Sequence, residues 1–142
     1  MASDVVYQAV HDYLATNWTT TPIAWENEKF TRPALAATNG APAAWIEVQV
    51  EGDTYDQRSI GSSGGAGERW AEEGAVIITS FVQAGVGSLV ARQNATTLAN
   101  MLRGLTLPNN IRFRSMAIGD GAPGFDDGNW WGLTLRAHWI RG

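Results

Sequence analysis

A strict apolar–polar alternation from Ala44 to Glu51 is the feature that most constrains the fold of this chain. Ile46, Val48 and Val50 project to one side of an extended backbone and the intervening residues to the other, which predicts a half-buried β-strand. A second extended segment, Trp70 to Val82, is apolar throughout its middle and predicts a central strand covered on both faces. The chain is therefore expected to build a β-sheet with the later segment inside it.

Two stretches have helical spacing of their apolar residues. One covers about residues 4–16, with Ser3 as a predicted N-cap, and the other runs from Ser88 to about Leu102 and stops at Gly104. Strands separated mostly by hairpins, with two helices available to cover a face, predict an α+β fold. We expect a mostly antiparallel or mixed β-sheet packed with two amphipathic helices.

Shorter strand signals complete the predicted sheet. They lie at Ile23–Trp25, Ile111–Ile118 and Trp130–Ile140, and the turn signal Gly52-Asp53 predicts that Thr54–Ile60 pairs back as the second strand of a hairpin. Glycines crowd the segment that follows, Gly61–Gly67, which has little to bury. The sequence thus predicts a protruding hairpin arm with a glycine-rich tip.

Composition limits the range of functions. With 142 residues, 44% hydrophobic and 17% charged, the chain is expected to form a single globular domain over residues 1–142. A net charge of −4 gives no basic field for nucleic acid, and the absence of cysteine excludes disulfides and thiol catalysis. No signal peptide and no apolar run of membrane-spanning length are present, so we expect a protein made and used in the cytoplasm.

Candidate catalytic and ligand sites are weak. The turn Gly85-Val86-Gly87 precedes a helix, but Val90 follows where a dinucleotide fingerprint needs a small residue, and a tight turn explains it better. His11 and His138 are far apart in sequence, and the aspartates near Asp126 lack the spacing of a calcium loop. We predict a protein that is not an enzyme and has no catalytic, cofactor or metal site.

Seven tryptophans are many for a chain of this length. Most fall on predicted strands, where they would pack a core, bury an interface between subunits, or line a sugar-binding face. Core and interface are the favoured interpretation because the two helices are unusual for a lectin. Carbohydrate binding remains the alternative from a different class of function.

Charge is segregated along the sequence. Acidic residues dominate between Glu47 and Glu73, and arginines outnumber acidic residues from Arg92 onward. One explanation is solvated faces that happen to differ in sign. The other is a head-to-tail ring, in which the acidic side of one subunit meets the basic side of the next.

The segment Thr21–Phe30 gives the chain its family resemblance. A short strand leads into Trp25-Glu26-Asn27 directly after the first helix, and the same order of elements continues to the second helix. In this, the chain resembles the tail terminator proteins of long-tailed bacteriophages and phage-derived gene transfer agents. The alternative within structural proteins is a head-closure or connector component, and the alternative in another class is a Trp-rich carbohydrate-binding module.

The resemblance implies a structural virion protein that forms a ring, six-fold in the relatives. It would cap the head-proximal end of the tail tube, stop its polymerisation and join the tail to the head connector. Implied partners are further copies of the chain, the tail tube protein and a head-closure or connector protein, with DNA only as cargo through the lumen. Assembly in the host cytoplasm follows, with no cofactor and no membrane.

Two sets of residues are predicted to make these contacts. The subunit interface is expected at acidic and basic strand residues: Glu47, Glu51, Asp53, Asp56, Arg112 and Arg114. The arm is expected to contact the tube or another partner through Tyr55, Arg58, Ile60, Gly64, Gly65, Arg69 and Trp70.

Overall fold

The computed structural model describes residues 3–36, 40–57, 70–119 and 124–142. These residues form two helices and seven strands, which confirms the α+β prediction. In chain order the elements are α1 (Asp4–Asn17), β1 (Ile23–Trp25), β2 (Ala44–Gln57), β3 (Trp70–Gln83), α2 (Leu89–Leu102), β4 (Thr106–Leu107), β5 (Ile111–Ile118), β6 (Phe125–Asp127) and β7 (Trp130–Arg141).

One sheet contains all seven described strands, in the order β1-β2-β3-β7-β5-β4. The short strand β6 also pairs with β7, beyond the end of β5 along the same side. All pairs are antiparallel except β1 with β2, which is parallel. The prediction that β3 is central is confirmed, since it lies between β2 and β7. The sequence did not predict the short strands β4 and β6, which have two and three residues and lie in turn-rich stretches that contain glycine, asparagine or aspartate.

The main core lies between the helices and one face of the sheet. α1 contributes Val6, Val10 and Leu14, which are almost fully buried and recur at helical spacing. The helix-facing side of β7 is apolar along most of its length, and its buried members are Leu133, Leu135, Ala137 and Trp139. Burial of these side chains is the main favourable term in holding the two layers together.

A second apolar cluster lies on the opposite side of the sheet, which we call the open face. Trp45 stacks on Phe81 with ring centroids 4.2 Å apart, and Trp130 meets Trp45 edge-on at 6.0 Å. Phe30 packs against the same indole, and Trp45 is only 2% exposed. Gly132 makes the packing possible, since a Cβ there would lie 2.8 Å from the Phe81 ring. The alternation placed Trp45 on the correct face but did not reveal that this end of the face is buried.

The predicted turn at Gly52-Asp53 is wrong. β2 continues straight through these residues and pairs with β3 as far as Gln57 opposite Trp70, so Thr54–Gln57 extends β2 rather than returning along it. A register shift between Gly52 and Thr54 marks a β-bulge, and such bulges favour the same glycine-rich signals as turns. The rest of the predicted return strand, residues 58–60, lies outside the described residues.

The cap at Ser3 also differs from expectation. Ser3 occupies the N-cap position of α1, but its side chain makes no capping hydrogen bond and instead donates to Oε1 of Glu72 at 2.6 Å. At the end of α2, Gly104 has φ of 73°, the left-handed conformation that the sequence predicted for a helix stop.

Candidate functional site

Both outer regions of the sheet carry a bulge, and the two bulges flank the same row of paired residues, one on each side of it. Consecutive partners across β2, β3, β7 and β5 are Gly52, Gly74, Trp139 and Phe113. Next to this row, β2 contains one extra residue, Asp53, and β5 contains one extra residue, Arg114. Bulges are common at sheet edges, where they redirect side chains and alter pairing.

The acidic edge of the sheet is formed by β2. β1 pairs only with Ile46–Val48, so β2 from Gln49 onward is the outermost strand of the described sheet on this side. The carboxylate of Glu26 accepts a hydrogen bond from the backbone N–H of Val50 at the start of this edge. We name the segment Gln49–Gln57 the acidic edge.

The predicted acidic residues lie along or beside it. Glu51 and Asp56 are exposed, while Glu47 is half-buried and faces the open side of the sheet next to β1. Asp53 is the bulge residue, and the position of its side chain lies outside the description.

The basic edge is formed by β5 on the other side of the sheet. β4 pairs with Ile111 and Arg112 alone, so Phe113–Ile118 is outermost along the described part of β5. Arg112 is exposed, and the side chain of Arg114 is 58% exposed. The predicted acidic and basic residues are thus separated by β3 and β7, about 14 Å at three strand spacings. They lie at opposite edges of one subunit and do not meet within it.

Two ion pairs within the chain involve the predicted interface residues. Arg136 Nη1 lies 3.4 Å from Glu51 Oε2, and Arg114 Nη1 lies 3.9 Å from Glu73 Oε2, both on the open face. Exposed ion pairs of this kind contribute about 0–1 kcal/mol to stability, so little free energy is lost when either charge changes its partner. The sequence analysis did not single out Arg136 for this role, because only the strand register reveals that it lies near Glu51.

Glu72 is the most buried charged side chain among the described residues, at 2% exposure. Its carboxylate accepts hydrogen bonds from the backbone N–H of Ser3 (3.2 Å), the Ser3 hydroxyl (2.6 Å) and Arg141 Nη1 (2.7 Å). Burial raises the pKa of this carboxyl, but the hydrogen bonds from Ser3 and the charge of Arg141 outweigh it and leave the pKa below its ordinary value. Glu72 therefore ties α1, β3 and β7 together, a role the sequence analysis did not assign.

The predicted arm is described only at its base. Tyr55 is 56% exposed and pairs with Glu72 across the hairpin, while Trp70 is the first residue of β3. Five further predicted contact residues lie outside the described residues: Arg58, Ile60, Gly64, Gly65 and Arg69.

The tryptophans are mostly core residues. Trp18, Trp45, Trp130 and Trp139 are each at most 4% exposed. Trp25 and Trp131 are half-buried, and Trp25 packs on the ring of His11 at 4.3 Å. None of these six tryptophans presents an exposed indole platform on which a sugar would stack, and they give the carbohydrate-binding alternative no support.

Ligand and membrane features are sparse in the described residues. No group of three or more His, Asp or Glu side chains there is arranged to hold a metal ion. No helix within those residues has the length and hydrophobicity needed to span a bilayer.

Comparison with known proteins places the fold and the family. One solved structure aligns with 100% of this chain and 96% of its own, with a TM-score of 0.64 and 19% sequence identity, which establishes a shared fold. No curated protein shows significant similarity to the sequence. The family described as phage tail terminator protein matches residues 5–139, nearly the whole chain. The chain belongs to this phage tail terminator family and is a bacteriophage tail protein.

Proposed function

We propose that this chain assembles head to tail into a six-membered ring that caps the head-proximal end of the tail tube. The ring stops polymerisation of the tube protein on one side and receives a head-closure or connector protein on the other, while DNA passes through its lumen as cargo. Its work is non-enzymatic and needs no cofactor. Family membership supports the tail location, and the two sheet edges support the ring.

The observation that carries the ring is the pair of bulges beside one row. Asp53 is the extra residue at the acidic edge and Arg114 the extra residue at the basic edge, and both flank the row from Gly52 to Phe113. A head-to-tail ring needs two different patches that are complementary in shape and charge. Two edges with matching irregularities and opposite charge meet that requirement.

Strand direction is compatible with pairing between these edges. β2, β3, β7 and β5 alternate in direction, so β5 runs antiparallel to β2. If the ring axis runs roughly parallel to the strands, rotation about it leaves each row of paired residues at the same height in every subunit. The basic edge of one subunit then lies antiparallel to the acidic edge of the next, and Arg114 and Asp53 both adjoin the shared row, one on each side of it. Arg112 lies on the row of Thr54 and Glu73, where β4 lies between it and the neighbouring subunit.

A charge swap tests this contact. Asp53→Arg and Arg114→Asp should each reduce ring formation, because like charges then face each other at every interface. The double variant restores an opposite pair at all six contacts and should recover assembly. The mass of the assembled particle and the yield of completed tails are the measurements.

Arg92→Asp is the matched control, because Arg92 is exposed in the first turn of α2, and that end of the helix packs on Val82 and Leu133, several residues along the strands from the bulges. It should assemble like the wild type, and circular dichroism should show that all variants fold. If both single variants assemble normally, or if the double variant is the worst of the three, the edge contact is refuted.

A further inference from the structure

A groove of about 610 Å³ runs along α1, between this helix and the turn that joins β4 to β5. Its floor consists of Val5, Ala9 and Tyr13, which are half-buried and spaced one helical turn apart. The turn between β4 and β5, Leu107–Asn109, forms the opposite wall. The groove runs along the 14-residue helix, roughly 21 Å, and the apolar strip from Val5 to Tyr13 covers about 12 Å of that length.

The exposed rim of the groove is acidic. Asp4 and Asp12 line it, with Gln8 between them donating to Asp12 Oδ1 at 2.7 Å. α1 contains no lysine or arginine, and its only basic side chain is His11, whose Nδ1 lies 3.7 Å from Asp12 Oδ1. An apolar floor between carboxylates fits a partner segment that combines an apolar side chain with basic ones.

We propose that residues 58–69 of a neighbouring copy of this chain occupy the groove. The inference rests on the proposed ring and names the surface that receives the segment joining β2 to β3. That segment has the required chemistry: Ile60 is its large apolar residue, Arg58 and Arg69 lie at its ends, and Glu68 is its single acidic residue. The remaining residues are glycine, serine and alanine, which add no bulk to be fitted into a groove.

The strand rows place the segment and the groove at the same height. Tyr55, Glu72, Arg141, Ile111 and Leu107 are consecutive partners on one row. β2 ends at Gln57, two residues beyond Tyr55 at one end of this row, and the groove wall begins at Leu107 at the other end. Edge-to-edge assembly therefore brings the segment of one subunit beside the groove of the next. A segment of twelve residues with both ends at the sheet can reach about 20 Å from it, which is enough to follow the groove.

Disulfide trapping tests this contact cleanly because the chain has no cysteine. Ile60→Cys and Ala9→Cys proteins are prepared separately, mixed under assembly conditions with tail tubes, and oxidised. We expect a disulfide-linked dimer containing one chain of each kind. Ala15→Cys is the matched control, because Ala15 is exposed on the same helix and does not line the groove. Its yield with Ile60→Cys should be lower by about tenfold, since disulfides form only over short Cβ distances.

A charge test accompanies the trapping. Reversing Arg58 and Arg69 to Glu in the Ile60→Cys protein should lower the disulfide yield by about tenfold, and reversing Asp4 and Asp12 to Arg in the Ala9→Cys protein should restore it. Failure of the reversal to change the yield would overturn the charge complementarity on which the proposal depends.

The outcomes separate this inference from the ring itself. The mass of the unmodified assembly reports on the ring, and the mixed disulfide reports on the groove. Rings that form without the mixed disulfide overturn the groove contact and leave the ring standing. A variant that carries both Ile60→Cys and Ala9→Cys tests whether the groove binds the chain's own segment. If the disulfide forms only within single chains of this variant, the groove contact between neighbouring copies is overturned. Absence of rings with and without tail tubes overturns the proposed function.

Discussion

Replacing Glu72 by Gln should destabilise the fold far more than a surface change would. Glu72 is 2% exposed and accepts hydrogen bonds from Ser3 and Arg141, and the glutamine amide has a similar shape without the charge. The Arg141 side chain, 28% exposed, then keeps its charge beside a neutral partner. Charge-assisted hydrogen bonds contribute about 1.5–3 kcal/mol, and breaking a buried ion pair costs more. We expect a loss of about 2–3 kcal/mol in the free energy of unfolding.

Urea denaturation at pH 7 measures this loss. With a slope of about 2 kcal/mol per molar urea, the midpoint should fall by about 1–1.5 M. Glu73→Gln is the matched control, because Glu73 is the adjacent residue on the opposite face and lies 3.9 Å from Arg114 in a more exposed setting. Its effect should be within about 0.5 kcal/mol of zero.

The pH dependence gives a second readout with a definite sign. The folded-state pKa of Glu72 lies below its ordinary value of 4.5, so its contribution to stability is present above that value. The contribution is lost as the pH falls through the lowered folded-state pKa. The gap between wild type and Glu72→Gln should therefore be constant near neutral pH and close in acid. Equal midpoints for the two glutamine variants at pH 7, or a gap that persists unchanged in acid, would refute this account.

Two further changes test the packing. Trp45→Ala should lower the free energy of unfolding by about 3–5 kcal/mol, because it removes the central side chain of the open-face cluster. Urea unfolding measures the loss, with the exposed Leu35→Ala as the control. A loss below about 1 kcal/mol would contradict the cluster's role. Gly74→Ala should cost more than Gly104→Ala in thermal unfolding, because its Cβ would lie 2.0 Å from the Glu51 carbonyl oxygen, whereas Gly104 has open space and only a left-handed φ to strain. Equal losses would show that the bulge relaxes around the new methyl group.

Much of the fold was predictable because its signals are local. The helix stripes of Val6 and Val10, the alternation through Ile46 and Val48, and the apolar middle of β3 each follow from one periodicity. The bulge at Asp53 was not predictable, since glycine beside aspartate marks turns as well as bulges. The resemblance of the Trp25 segment to tail terminators correctly identified the family.

The candidate site was less accessible to sequence reasoning. Charge segregation indicated acidic and basic strands, but it did not show that they form opposite edges of one sheet, which depends on strand order. The ion pair between Arg136 and Glu51 joins residues that are 85 positions apart in the sequence. The hydrogen bonds of the buried Glu72 join residues that are 69 positions apart. Contacts of that separation leave no periodic signal along the chain. The groove along α1 likewise required the turn after Leu107 to be placed beside the helix.

The paired bulges have a geometric consequence for the assembled particle. Gly52, Gly74, Trp139 and Phe113 mark a transverse line along which each subunit's sheet departs from regular pairing at both ends. In the proposed ring, the lines of six subunits would join end to end into one closed hoop around the channel. Because each bulge bends its sheet, every subunit would curve at the same height, and the ring would be narrowest at that height. The bore at that level would depend on two glycines and two inserted residues, so a deletion of Asp53 would be expected to change the channel diameter as well as the contact.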